Sequence, residues 1–336
     1  MGIRLWPVFL LSLTACAGLG STGITPRAPL AGPAFAPKNV VEYPLAGTKD
    51  PQPYAIAAGK DGAMWFTEEG ASAIGRIDGI GRLRQYVLPT HHAQPKGIVS
   101  TPAGDLYFAE HAGPLYATHV ARITLRGRIT EWNDSDYMPV GVAPGIDGSV
   151  WFTQNCGGLA QLTGGTLSQY PLPGIAGETT AIVRTPDRAI WFAEDGTARI
   201  ARIDSHGRLT IFPGLLYNGK YNDLPNAVVV GPDGNLWWTA LESNVIWATD
   251  LHGRIVHEYA IPTPGSAPWG IVVGNDGALW FTEWSGNNIG RVTTQGVFSE
   301  FPLPTPHAQP QGIALARDGS LWFAETGANQ IGRIVE

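Results

Sequence analysis

Asp276-Gly277-Ala278-Leu279-Trp280-Phe281-Thr282-Glu283 opens a stretch that continues through Asn288-Ile289-Gly290-Arg291-Val292 to Phe301-Pro302-Leu303-Pro304. Every part of it recurs along the chain. The lead aromatic falls at Trp65, Tyr107, Trp151, Trp191, Trp237, Trp280 and Trp322, at intervals of 40 to 46 residues. A period of about 40–45 with four short strands per unit is the sequence signature of a β-propeller. Within the quoted unit the first strand is Gly270-Ile271-Val272-Val273. Asp276-Gly277 then predicts a tight hairpin of primed type, because Asp-Gly tolerates positive φ. Leu279 to Thr282 and Ile289 to Val292 give the second and third strands. A turn at Thr294-Gln295-Gly296 leads to the fourth, Phe298 to Phe301, which Pro302 and Pro304 end because proline cannot donate to a ladder.

The ends of the repeat predict closure. The seventh unit stops after Ile331-Gly332-Arg333-Ile334 and has no fourth strand of its own. Val40-Val41-Glu42-Tyr43-Pro44-Leu45 has the fourth-strand pattern and precedes the first unit. The expected fold is therefore all-β: a seven-bladed propeller over residues 39–336, with four-stranded blades and the last blade closed by the N-terminal strand. Joining the ends hides an edge that would invite aggregation.

Composition agrees. The 336 residues include 43 Gly and 27 Pro, and only 15% are charged. That mixture suits many short strands and tight turns and argues against a helical bundle. A net charge of −6 with 22 Lys+Arg lacks the basic surplus of a nucleic-acid binder. The N-terminus reads as an address: a basic start to Arg4, an apolar run from Leu5 to Leu13 too short to span a bilayer, then Leu13-Thr14-Ala15-Cys16, which resembles a bacterial lipobox. Residues 1–16 are expected to be a lipoprotein signal peptide with Cys16 lipidated. The Gly-, Ala- and Pro-rich segment 17–38 is expected to be a flexible tether. The protein would then be a monomer of the bacterial cell envelope that touches the membrane only through its lipid. Cys156 has no partner for a disulfide and reads as a small buried apolar residue.

Strand direction assigns the loops to two faces. Asp-Gly hairpins and third-to-fourth turns lie on one face, the bottom; second-to-third and fourth-to-first loops lie on the top. The long top loops carry His111, Tyr116 and His119 in the second unit, and Tyr217, Lys220, Tyr221 and Asp223 before the fifth. Binding groups concentrate on loops held by a rigid scaffold, so the top, around the channel mouth, is the expected site. The residue at the Pro-x-Gly position at the start of each first strand (Ala replaces the Gly at 55, 181 and 227, and Thr179 the Pro) varies while its frame repeats: Tyr54, Lys96, Val140, Thr180, Asn226, Trp269 and Gln311. This set is expected to line the binding surface for a small-molecule, peptide or glycan ligand. Glu68, Glu110, Glu194, Glu283 and Glu325 recur three residues after the lead aromatic, with Gln154 and Ala240 breaking the series. Such repetition favours an architectural role, bonding backbone N–H groups, over a carboxylate ring that holds a divalent cation. Arg76, Arg122, Arg202, Arg291 and Arg333 are likewise expected to pair structurally between blades. His206 and His252 fall in bottom turns and are expected to be exposed, whereas His91, His92, His111, His119 and His307 lie in or near top loops.

The stretch Asp276 to Val292, its counterpart Asp318 to Ile334, and the linker Phe301 to Pro306 resemble the repeat of the streptogramin B (virginiamycin B) lyase family, and the resemblance covers all seven units. It implies linearisation of a cyclic depsipeptide without water. A base takes the proton α to the ester carbonyl, Mg²⁺ stabilises the enolate, and elimination opens the C–O bond. The family's last repeat begins Glu-Pro-His-Gly, with His as base and Glu at the metal; here it is Gln309-Pro310-Gln311-Gly312. The preceding repeat has Pro-His for substrate contact; here it is Pro268-Trp269. Glu325 lies near the position of a further metal-site Glu. The family base is therefore replaced by an amide that cannot accept a proton at neutral pH. Two functions remain open. One is a recognition propeller binding through Tyr54, Lys96, Asn226, Trp269, Gln309 and Gln311. The other is a C–O lyase with a rearranged site, with His307, His92 or Lys96 as base, Gln311 at the reacting position and Glu325 near a Mg²⁺ ion.

Overall fold

The computed structural model describes residues 27–28, 30–31, 39–45, 47, 49–112, 118–134, 137–155, 157–173, 178–194, 199–213 and 225–335. Cys16, Tyr116, Cys156, Tyr217, Lys220, Tyr221 and Asp223 lie outside the described residues, as does the signal segment. Every element among the described residues is a strand, and the strands form seven sheets. The first blade is Pro53–Ala58, Met64–Glu68, Ala73–Ile77 and Leu83–Val87, a four-stranded antiparallel meander. The seventh is Pro310–Leu315, Leu321–Glu325 and Gln330–Val335, completed by Asn39–Pro44 pairing antiparallel with Gln330–Val335. Closure by the N-terminal strand is thus observed. Leu30–Ala31 adds a fifth, parallel strand to the outer edge of the sixth blade, and Arg27 bridges to Tyr259 of the fifth. Part of segment 17–38, read as tether, is therefore docked on the propeller.

The core is a set of seams between blades. Trp65 packs with Leu106, Phe108 and Ile123 of the second blade, and Trp280 with Leu321 and Phe323 of the seventh. Trp322 packs with Ile56, Met64 and Phe66 of the first blade, so the last seam matches the others and the ring is closed. The Asp-Gly motif is explained by the indole: Asp61, Asp233 and Asp276 accept from Nε1 of Trp65, Trp237 and Trp280 at 3.2, 3.0 and 3.1 Å. The turn itself is not primed. Gly62 N–H donates to Gly59 O, Gly59 N–H donates to Ala63 O, and only Gly62 has positive φ (78°). Asp61 thus precedes the left-handed residue of a three-residue hairpin loop.

Two further expectations are corrected. The ion pairs of the recurrent arginines lie within a blade; Arg333 in addition donates to Gly79 O of the first blade at 3.1 Å. Arg76–Asp61, Arg202–Asp187, Arg291–Asp276 and Arg333–Asp318 stand at 2.8, 2.6, 2.6 and 2.7 Å. Three of these arginines also lie over their own lead tryptophan, at 5.7, 5.9 and 5.0 Å for Arg76, Arg291 and Arg333. Three of the recurrent glutamates accept from side chains of their own blade rather than only from backbone N–H groups: Glu68 from Gln85, Glu194 from Arg199 at 2.7 Å, and Glu283 from Asn288 at 3.1 Å.

Blades are joined at the axis by threonine. Thr67, Thr153, Thr239 and Thr282 each accept from an N–H of their own inner strand, at 3.0, 2.8, 3.0 and 2.9 Å. Each also donates to a carbonyl of the next blade: Lys96, Thr180, Trp269 and Gln311, at 2.8, 2.8, 2.8 and 2.6 Å. Replacing Thr282 by Val leaves a buried N–H and a buried carbonyl unpaired. The expected cost is about 1–3 kcal/mol, read from denaturant unfolding.

Burial sets a pH dependence. Desolvation, with the nearby Glu42 carboxylate, raises the Glu325 carboxyl to about 8, and desolvation raises Glu68 to about 7. A carboxyl raised on folding binds its proton more tightly in the folded state, so its contribution to stability falls as pH rises from about 4.5 towards 8. Glu325→Gln should therefore gain stability relative to the parent across that window and show no further relative change above it. Paired thermal melts between pH 4.5 and 9 check this.

Candidate functional site

The top of each inner strand carries the site because of a bulge. In six blades the register of the inner strand shifts just after its first proline, as between Pro53 and Ile56 or Pro310 and Ile313. A bulge re-aims the side chain within it, and here that residue is the variable one. The residue that follows is Gly or Ala, and at the glycines neighbouring backbone comes close. A Cβ on Gly141 would sit 2.4 Å from Thr180 O, and one on Gly312 would sit 2.7 Å from Ala55 Cα of the first blade.

The variable residues meet. Tyr54 and Trp269 come edge to face with centroids 6.2 Å apart, although the seventh blade lies between theirs. Lys96 Nζ stands 4.4 Å from the Tyr54 ring centroid and 2.7 Å from Glu69 Oε1. Asn226 is used structurally: its Nδ2 donates to Trp269 O at 3.3 Å. Thr180 donates to Pro225 O at 3.1 Å. Gln311 is 8% exposed, and its Oε1 accepts from Thr326 Oγ1 at 3.0 Å. Gln309 packs over Gly327, its Oε1 lying 2.8 Å from where a Cβ would stand. Val140 is half-buried at the same level.

A second ring of mouth residues was not anticipated. It sits one residue beyond the recurrent Glu and includes Glu69, His111, Asn155, Trp284 and Thr326. These make the contacts that organise the mouth: Glu69 with Lys96, Thr326 with Gln311, Trp284 against Trp269 at 6.4 Å, and His111 Nε2 facing Asn155 Nδ2 at 3.4 Å. The signal was present in the repeat, because this position also varies inside an invariant frame.

Electrostatics distinguish the candidate bases. His92 and His307 are exposed on loops that precede the inner strands, each with positive φ. His111 is half-buried, and desolvation together with the Lys96 charge lowers its pKa, so the imidazole is neutral at physiological pH. Burial, with the Glu69 carboxylate, raises the Tyr54 phenol, which stays protonated.

The residues present do not fit a magnesium ion at the seventh-blade position. Gln309 and Gln311 offer neutral amides. Glu325 is fully buried, and its carboxyl lies over Gly332 of the third strand, on the side away from the inner strand. A cavity of about 410 Å³ opens on the bottom face between the third and fourth blades. Its walls mix Arg184 and Arg188 with Asp147 and Asp204, and both aspartates are taken up by their own turns. The mouth is the better candidate, since its aromatic and charged groups converge.

The sequence model of the virginiamycin B lyase family matches residues 34–158 and 133–336. Virginiamycin B lyase of Nocardia farcinica is 30% identical over 189 residues, which is 56% of this chain and 62% of that protein's length. A solved streptogramin B lyase is 32% identical with a TM-score of 0.80, covering 88% of this chain and 97% of its own. A catalytically inactive histidine-to-alanine variant of virginiamycin B lyase from Staphylococcus aureus, solved with quinupristin, is 31% identical with a TM-score of 0.80 over 89% and 99% of the two chains. With the family match extending across all seven blades and the solved lyases sharing the fold almost end to end, the chain belongs to the virginiamycin B lyase family.

Proposed function

We propose that the protein binds a compact, ring-bearing ligand of small-molecule, peptide or glycan class at the top mouth, and does not open it. The observation that carries this reading is the aromatic wall of Tyr54, Trp269 and Trp284, with Lys96 held over Tyr54 by Glu69. Flat rings and a fixed cation–carboxylate pair suit stacking and polar recognition. A glutamine at 311 cannot serve as a general base. The lipobox-like leader supports placing this binding protein in the bacterial envelope, anchored through Cys16.

A second reading rests on His111. A neutral imidazole beside Lys96 could take a proton from the carbon next to the one that bears the ester oxygen. The released electron pair would form a C=C bond between those two carbons, and the C–O bond would break with the carboxylate leaving.

Quinupristin is the direct probe. Saturable quenching of tryptophan fluorescence is expected, weakened about tenfold or more in Trp269→Ala, because base- or ring-stacking contacts of this kind are each worth about 1–3 kcal/mol. The antibiotic should be recovered intact after incubation with Mg²⁺. A linear, isobaric product that disappears in His111→Ala would favour the lyase. No binding of quinupristin, and none above background on glycan and peptide arrays, would contradict the recognition reading.

A further inference from the structure

The second blade differs from its siblings at one small place. In the five blades that carry it, the recurrent Glu of the second strand pairs with the first residue of the third strand. In the sixth blade these are Glu283 and Asn288, with Glu300 on the fourth strand, and Asn288 Nδ2 donates to Glu283 at 3.1 Å. In the seventh they are Glu325 and Gln330, with Glu42 on the fourth strand. There the third-strand residue is again an amide, whose Nε2 donates to Thr305 Oγ1 at 3.2 Å. In the second blade they are Glu110 and His119, with Glu131 on the fourth strand. An imidazole replaces the amide, so a nitrogen lone pair joins two carboxylates.

The geometry is that of a ligand set. One donor atom from each of the three residues lies within 4.8 Å of the others. Glu110 is fully buried, and neither of its oxygens makes a hydrogen bond among the described residues; Oε2 stands 3.3 Å from His119 Nδ1. Oε1 of Glu131 is also buried without one. Thr90 Oγ1 lies 3.3 Å from His119 Nδ1 and 3.4 Å from Glu131 Oε2. The neighbouring Asp134 is not a competitor, because Gln154 Nε2 donates to both of its oxygens at 3.0 Å and Gln169 donates as well. The cluster reaches solvent through His119, whose side chain is 15% exposed, so an ion has a way in. Buried carboxylate oxygens without donors are costly unless protonated or bound to a cation.

We propose that Glu110, His119 and Glu131 hold a divalent transition-metal ion of the zinc class on the top face of the second blade, apart from the channel mouth. One imidazole and two carboxylates with a free position for water or the Thr90 hydroxyl suit Zn²⁺ better than Mg²⁺, which prefers all-oxygen octahedral shells. The site does not depend on what the mouth binds.

The test uses the full chain, stripped with chelator. Titration calorimetry with Zn²⁺ should show one equivalent bound with micromolar or tighter affinity, and Zn²⁺ should raise the melting temperature. Co²⁺ should give the visible spectrum of a nitrogen–oxygen site. His119→Asn, which installs the residue of the sixth blade, and Glu131→Gln should each weaken Zn²⁺ binding at least tenfold. Both should still melt cooperatively in chelator, His119→Asn because the sixth blade already carries Asn at that place. Absence of a stoichiometric Zn²⁺ event, or an event unchanged in both variants, would overturn the proposal.

Discussion

Four threonine hydroxyls govern the geometry of this propeller. Each sits where two inner strands come together and links an N–H of its own blade to a carbonyl of the next. That carbonyl belongs to the variable residue at the channel mouth. The same bond that joins neighbouring blades therefore fixes the backbone from which the site is built. The close approach it permits leaves little room at the next position, where Gly97, Ala181, Gly270 and Gly312 follow. The apolar seams supply the bulk of the cohesion, but they are tolerant of volume-conserving change. The polar latch is not, because a threonine hydroxyl there both accepts and donates, and an apolar isostere can do neither.

A rigid frame of this kind separates fold from chemistry. The repeated residues hold the ring, and two sets of varying residues face its mouth. In the inner set, Gln311 and Trp269 occupy the places where the family resemblance implies histidines. In the set beside it, Glu69 and Trp284 buttress Lys96 and Trp269. The mouth of this chain presents amide and aromatic side chains at positions 311 and 269. His111 is the one imidazole there that burial and a neighbouring cation hold neutral.

Much of this could be read in the sequence, and the reasons are physical. The 40-to-46-residue period of the lead aromatic reports a unit that cannot bury its own face, so blade number and closure by Asn39–Pro44 followed from it. The variable mouth position was visible for the same reason. Other features were coded but overlooked. Four of the arginine pairs span fifteen residues, as in Asp61–Arg76 and Asp276–Arg291, a spacing that places both ends on the hairpin of one blade. Strand alternation puts Phe66 and Glu68 on one side and Thr67 on the other. It could have assigned the glutamates to the blade interior and the threonine to the latch. The turn type at Asp61-Gly62 was not legible, because Asp-Gly serves both a two-residue and a three-residue loop. Nor was the meeting of Tyr54 with Trp269 across the seventh blade, which depends on side-chain length over a closed axis.

The seam between the last and first blades is where this account is most exposed. A methyl group on Gly312 would press on Ala55 Cα and Tyr54 O at 2.7 and 2.8 Å. Hydrogen exchange and thermal unfolding of Gly312→Ala measure the consequence directly. The account predicts a lower melting temperature with faster exchange concentrated in Pro53–Ala58 and Pro310–Leu315. A variant that melts and exchanges like the parent would contradict the claim that close approach of the inner strands builds the mouth.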